Sequence, residues 1–282
     1  MSEEGPRLAA IIGWPVSHSL SPALHGYWLK EHGVLGAYVP LSVRPEDFAD
    51  CVTALARMEF AGANVTLPHK EAAFALCATH DEDALATAAV NTLVFKSGKI
   101  HGLNTDGRGF AANLAEALGE GAARAGPAVV IGAGGAARAI VLVLARAGAP
   151  EIRVVNRTRA RAEELRKLLK NAPVKVFDWA DWGKAFAGAG LLVNATSIGM
   201  LGGPTLEISL ENLARQAAVA DIVYNPLETN LLRAARARGH KTVDGLGMLM
   251  HQAVPCFAAW FGVTPKVTPE LRAALERALS NG

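Results

Sequence analysis

A chain of 282 residues is long enough for two domains of ordinary size, each with its own core. Hydrophobic residues make up 51% and charged residues 19% at a formal net charge of +2, which excludes a disordered or fibrous chain and any global field for nucleic acid. A local basic pocket stays open. The opening MSEEGPRLAAIIGWP has no basic region ahead of a long apolar core, and no apolar run reaches membrane-spanning length. Cys51, Cys77 and Cys256 are scattered and odd in number, without CxxC or zinc spacing, which fits a reducing cytoplasm and no metal site. The expectation is a cytoplasmic protein with a small-molecule ligand, no nucleic acid and no membrane.

In chain order, short apolar runs alternate with longer stretches of helical period, the pattern of an α/β fold built from βαβ units around a mostly parallel sheet. Strands are predicted over residues 8–12, 38–43, 61–65 and 90–95, with helices over 22–31 and 45–58. After the first strand, SHSLSP offers the hydroxyls of Ser17 and Ser19 and nearby N–H groups to a carboxylate. Equally, Ser19 or Ser21 caps the helix with Pro22 in its first turn. His25 is expected to be a partly buried structural histidine.

The stretch NVTLPHK joins good strand formers to a proline, a histidine and a lysine. Asn64-Val65-Thr66 matches a glycosylation sequon, as do Asn156-Arg157-Thr158 and Asn194-Ala195-Thr196, but the lack of a secretory signal speaks against it. Lys70 then reads either as a solvated lysine after a strand or as a group delivered into a cleft, aimed by a turn that Pro68 stiffens. His69 receives no role. AVNT at 89–92 and NTDGRGF at 104–110 also place Asn, Thr and Asp at strand ends, where open α/β sheets bind ligands. So many amides and hydroxyls suit a small polyhydroxylated acid.

Residues 107–118 read as a helix and 119–127 as a linker into a second domain. Its strands are predicted over 129–131, 152–155, 174–177, 191–194 and 218–223, at doubly wound spacing, and two helices close the chain over 248–261 and 269–279. Gly132-Ala133-Gly134-Gly135-Ala136-Ala137 is a dinucleotide fingerprint between a buried-type strand and an apolar-faced helix. Gly132 serves the tight turn, Gly134 the approach of backbone to a pyrophosphate, and Ala137 the close packing of helix on strand. The second strand ends at Asn156-Arg157-Thr158, where an NAD site would place an acid. Arg157, followed by Arg159 and Arg161, suits a 2′-phosphate and favours NADP over NAD. The other reading is a basic, solvated helix start with Thr158 as N-cap.

These motifs, with NATSIGM (194–200), DIVYNPLET (221–229) and DGLGMLMHQA (244–253), follow one another in an order that resembles the shikimate dehydrogenase family over nearly the whole chain. The resemblance implies an α/β substrate-binding and catalytic domain over 1–106 and a Rossmann-type, doubly wound parallel-sheet domain for NADP over 107–244. Helices over 245–282 would return to the first domain. It implies reversible, NADPH-dependent reduction of 3-dehydroshikimate to shikimate in aromatic biosynthesis, by a monomer or homodimer. Lys70 and Asp106 are the implied catalytic pair, with Ser17 and Ser19 at the substrate carboxylate and Tyr224 near it. Asn64, Thr66, Lys70, Asn91, Asp106 and Gln252 are implied at the ring hydroxyls. The implied cofactor contacts are Gly132, Ala133, Gly134, Gly135, Ala136, Asn156, Arg157, Thr158, Arg161 and the backbone of Ile222. Gly245 and Met248 would lie by the nicotinamide and Glu82 at the cleft. Gly26 departs from the family, many members of which have Asn there. Two alternatives remain: a broader quinate/shikimate dehydrogenase and a non-catalytic nucleotide-sensing module, the latter opposed by the presence of both Lys70 and Asp106.

Overall fold

The computed structural model describes residues 5–280. Contacts divide the chain into two units, the first running to Thr105 and resuming at Gln252, the second spanning Asp106–His251. The crossings expected from sequence were 106/107 and 244/245; by contacts they fall at 105/106 and 251/252.

The first unit holds β1 (Arg7–Gly13), α1 (Ser21–Glu31), β2 (Gly36–Ser42), α2 (Phe48–Arg57), β3 (Gly62–Val65) and α3 (Lys70–Leu76). These are followed by β4 (Thr79–His80), α4 (Glu82–Thr87), β5 (Thr92–Lys96) and β6 (Lys99–Leu103). Its sheet has the order β2-β1-β3-β5-β6-β4. The sheet is mostly parallel, as predicted for this region, with one exception: β5 runs antiparallel to both β3 and β6. The cause is local. Ser97 (φ 52°) and Gly98 (φ 70°) form a two-residue turn with positive φ at both positions, and so short a connection can join only antiparallel strands.

In α2, Phe48, Val52 and Leu55 recur at helical spacing and are buried against Ala10, Ile12, Ala63, Val65 and Leu93 of the sheet. The end of α10 (Gly245–Phe261) and α11 (Pro269–Ser280) complete this unit. Trp260 donates its indole N–H to Leu93 O at 2.9 Å, and Trp28 donates to Lys266 O at 3.3 Å. Gly62 lies so close beneath the Trp260 ring and Leu93 O that no Cβ fits there.

The second unit runs α5 (Asp106–Leu118), β7 (Ala128–Ile131), α6 (Gly135–Arg146), β8 (Ile152–Val155), α7 (Arg159–Leu168) and β9 (Val174–Phe177). Then come α8 (Trp182–Phe186), β10 (Leu191–Asn194), β11 (Ala218–Asp221), α9 (Asn230–Ala237) and β12 (Thr242–Val243), before α10 begins. The order β12-β11-β10-β7-β8-β9 is parallel throughout, the doubly wound sheet expected from sequence. Strands β7, β10 and β11 are buried along their whole length, as strands covered on both faces must be. The direction of winding reverses between β7 and β10, the switch point at which such sheets take ligands.

Candidate active site

Lys70 is presented by a turn and a helix rather than by a strand end. β3 stops at Val65, and Thr66 O accepts the His69 N–H at 3.0 Å around a cis Leu67–Pro68 bond, a type VI turn. His69 is buried, stacked on Phe48 at 4.6 Å with Nε2 2.8 Å from Val43 O, and its carbonyl accepts Ala73 N–H at 2.8 Å. The residue left without a role by the sequence thus anchors the turn. Lys70 follows as the first residue of α3, half-buried, its carbonyl accepting Val90 N–H at 2.9 Å.

Around the end of β3 the polar side chains form one network. Asn64 Oδ1 accepts from Tyr38 Oη at 2.7 Å, and its amide nitrogen donates to Thr92 Oγ1 at 3.2 Å and Asn91 O at 3.3 Å. Asn91 is buried, taking Thr105 N–H on Oδ1 at 2.9 Å and donating to Thr105 Oγ1 at 3.0 Å. Cys256, fully buried, brings Sγ within 3.1 Å of Thr92 Oγ1 and donates to Gln252 O at 3.2 Å. Thr92, Thr105 and Cys256 were not named as site residues from sequence; the two threonines have a signal in the repeated Asn-Thr pair at 91–92 and 104–105, and Cys256 has none.

Gln252 Oε1 is buried with no hydrogen-bond partner among the described residues. An orphaned buried acceptor costs about 1–3 kcal/mol unless a ligand donor completes it, as a ring hydroxyl would. Thr66 is half-buried with its methyl against Gly13. Ser17 is exposed, while Ser19 Oγ accepts Ser21 N–H at 3.2 Å and keeps its proton for a carboxylate; neither Ser19 nor Ser21 is the N-cap, which corrects that reading, since Leu20 holds the position and no side chain caps it. His25 is fully buried rather than partly so, stacked on Tyr38 at 4.1 Å. Burial lowers its pKa to about 3 against the opposing pull of Asn64, so the ring is neutral. Glu82 is exposed in the first turn of α4.

In the second unit, Asp106 is buried at the first position of α5, the end at which the helix dipole favours an anion. The fingerprint turn separates two kinds of glycine. Gly132 has φ +115°, and a Cβ there would lie 2.9 Å from the Thr196 methyl. At Gly134 a Cβ would meet nothing within 4 Å. Gly134 is also the N-cap of α6 and supplies no side-chain acceptor, so the N–H groups of Gly135 and Ala136 face no cap. Ala133 and Ala137 are buried beneath the turn.

Beyond β8, Asn156 Nδ2 donates to Thr158 O at 2.8 Å. Thr158 occupies the N-cap position of α7, but its side chain accepts no cap bond, which corrects the capping role open to it from sequence. Arg159 is committed to Asp178 at 2.7 Å and Glu163 at 3.3 Å, whereas Arg157 is exposed with no ion pair among the described residues. Arg161 is exposed one turn into the helix. An open glycine, an uncapped helix start and an unpaired guanidinium fit a dinucleotide with a 2′-phosphate.

Gly245 opens α10 against the carbonyl of Ile222, so close that any Cβ would collide with it. Met248 is buried in the core of this unit with Val243 and Ala220, and Tyr224 is half-buried in the segment after β11. That segment is tied down by Asp221. Its Oδ1 accepts from Asn194 Nδ2 at 2.9 Å and Val223 N–H at 3.0 Å, and its Oδ2 from Thr229 Oγ1 at 2.8 Å. Burial pushes the Asp221 carboxyl up to about 6, outweighing these three bonds. Since the folded value exceeds the unfolded one, this contribution to stability is present below about pH 4 and is lost as pH rises through about 6. Asp221→Asn, which cannot ionise, should therefore gain on wild type by about 3 kcal/mol between pH 4 and pH 7 in urea unfolding. A pH-independent difference would contradict a desolvated carboxylate.

Fold and site together define a two-unit α/β protein with a dinucleotide fingerprint at the switch point of a Rossmann-type sheet. The family model for the shikimate dehydrogenase substrate binding domain matches residues 11–93, and that for shikimate/quinate 5-dehydrogenase matches residues 113–200. The shikimate dehydrogenase (NADP(+)) of Acidiphilium cryptum is 56% identical over 270 residues, covering 95% of each chain. The chain belongs to the shikimate dehydrogenase family. Among solved structures, shikimate 5-dehydrogenase from Thermus thermophilus in complex with NADP(H) and shikimate superposes with a TM-score of 0.84 at 36% identity, over 98% of this chain and 99% of that one. Quinate dehydrogenase from Corynebacterium glutamicum in complex with NAD gives 0.86 at 32%, over 98% and 99%. Among the described residues no helix is long and apolar enough to cross a membrane, and no cluster of three or more His, Cys, Asp or Glu could hold a metal.

Proposed function

We propose that the chain catalyses the reversible, NADPH-dependent reduction of 3-dehydroshikimate to shikimate, in the cytoplasm, as a monomer or homodimer. The observation that carries this is the 56% identity, over 95% of the chain, to a relative named as the NADP(+)-dependent enzyme. In this reading residues 1–106, with the C-terminal helices, hold the substrate, and residues 107–244 hold the cofactor. Bound there, NADPH would supply a hydride to the ketone carbon. Lys70 stabilises the negative charge that develops on the ketone oxygen and delivers the proton to it, while Asp106 orients the neighbouring hydroxyl and acts with Lys70 as a coupled pair. Ser17 and Ser19 meet the carboxylate with Tyr224 nearby, and Asn64, Thr66, Asn91 and Gln252 the hydroxyls.

The test compares kcat/KM for shikimate and quinate with NADP and with NAD. Shikimate with NADP should lead. A lead for quinate would favour the broader activity, a reading supported by the fold shared with the quinate dehydrogenase, and no turnover of either would leave a nucleotide-sensing module. Arg157→Ala should lower kcat/KM for NADP by about tenfold, the loss of one charge-assisted phosphate contact, with NAD turnover unchanged. Equal loss with both cofactors would remove Arg157 from 2′-phosphate recognition.

A further inference from the structure

Asp221 stands where the sheet otherwise places apolar residues. The rest of β11 is Ala-Val-Ala and β10 opens Leu-Leu-Val, all buried. A well-packed apolar side chain would avoid the cost of desolvating a carboxylate. What the carboxylate alone provides is acceptor capacity: Asp221 holds donors from β10 (Asn194), from its own following segment (Val223) and from the N-cap of α9 (Thr229).

Two of these contacts, those to Asn194 and Val223, lead toward the dinucleotide turn or the strand end beside it. Asn194 Oδ1 accepts from Thr196 Oγ1 at 2.7 Å, and Asn194 Nδ2 also reaches Ile198 O at 2.9 Å, folding the loop after β10 over the strand end. Thr196 Oγ1 in turn accepts Ile198 N–H at 3.0 Å, and the Thr196 methyl occupies the space beside Gly132 that a Cβ would need. On the other side, the bond to Val223 N–H fixes the backbone immediately after Ile222, the carbonyl of which touches Gly245.

We infer that Asp221 is a positioning residue for the dinucleotide site: it sets the loop of residues 194–200 and the backbone of Ile222, and through them the wall that receives the nicotinamide half of the cofactor. The inference rests on the reading that this unit binds NADP.

The experiment measures dissociation constants for NADPH, by fluorescence, and for adenosine 2′,5′-bisphosphate, by calorimetry. The second probe carries the 2′-phosphate but lacks the nicotinamide. Asp221→Ala should weaken NADPH by about tenfold and leave the bisphosphate within about twofold, since lost positioning of a wall affects only the half that meets it. Asp221→Asn, which keeps the shape and one acceptor, should recover most of the NADPH affinity. Thr196→Val should shift NADPH binding in the same sense by about threefold and carries the test if Asp221→Ala does not fold. Equal weakening of both probes would make Asp221 a general support of the fold, and unchanged NADPH binding would leave it no role in the site; either overturns the inference. Arg157→Ala is the control. It should weaken both probes, and if it weakens neither, the fault lies with the NADP reading and not with Asp221.

Discussion

Lys70→Ala is expected to lower kcat by about 10² or more with only a modest change in KM for shikimate, the range typical of a general acid–base group. The backbone that carries the side chain is held by other groups. The turn from Thr66 to His69 is closed by backbone, the His69 ring is clamped between Phe48 and Val43 O, and Lys70 contributes its carbonyl to Val90 N–H. Alanine keeps that carbonyl and is a good helix former at the start of α3, so the melting temperature should hold. The substrate contacts proposed for Asn64, Asn91 and Gln252 are untouched, which is why ground-state binding should survive. A kcat near wild type in a folded Lys70→Ala protein would remove Lys70 from the mechanism.

The second unit could be read from sequence because one physical rule governs it. Strands buried on both faces are continuous apolar runs, and a glycine-rich turn between strand and helix has few other uses, so its sheet and fingerprint follow directly from spacing. The first unit hides more. Its β6 is short and half-exposed, IHG at its centre lacks strong alternation, and only the Ser97-Gly98 turn marks the hairpin. The side-chain network at the end of β3 was equally hidden, because Cys256 meets Thr92 and Asn64 across a sequence separation that no local pattern encodes. Charge was misleading in one place. Arg157, Arg159 and Arg161 read as one basic cluster, but Asp178 on the strand end of β9 takes Arg159 out of it. Burial was underestimated at His25, where stacking on Tyr38 replaces the hydration that a sequence view assumes, and His69, left without a role, is buried by stacking on Phe48.

Gly134→Val should raise KM for NADP by about 10² while the chain stays folded, and the contrast with Gly132 shows why. A glycine in a fingerprint can be required by its own backbone or by its ligand, and the two requirements leave different traces. Gly132 carries the first: at φ +115° an L side chain is strained, and its Cβ would press on Thr196, so Gly132→Ala should cost about 1–3 kcal/mol of stability. Gly134 carries the second. Its backbone is extended (φ −82°, ψ −175°), a conformation open to any residue, and the protein leaves the space beyond its Cα empty. Valine there strains nothing, and its worse N-capping costs about 1 kcal/mol at most. What it does is occupy the approach to the first N–H groups of α6, where a pyrophosphate would take two or more charge-assisted bonds worth about 1.5–3 kcal/mol each. Thermal unfolding and steady-state kinetics on the two variants separate these effects: Gly132→Ala should move the melting temperature most and Gly134→Val the KM for NADP, with KM for shikimate at saturating cofactor unchanged. If Gly134→Val instead bound NADP as wild type does, the pyrophosphate would have to lie elsewhere, and the fingerprint turn would be a structural device alone.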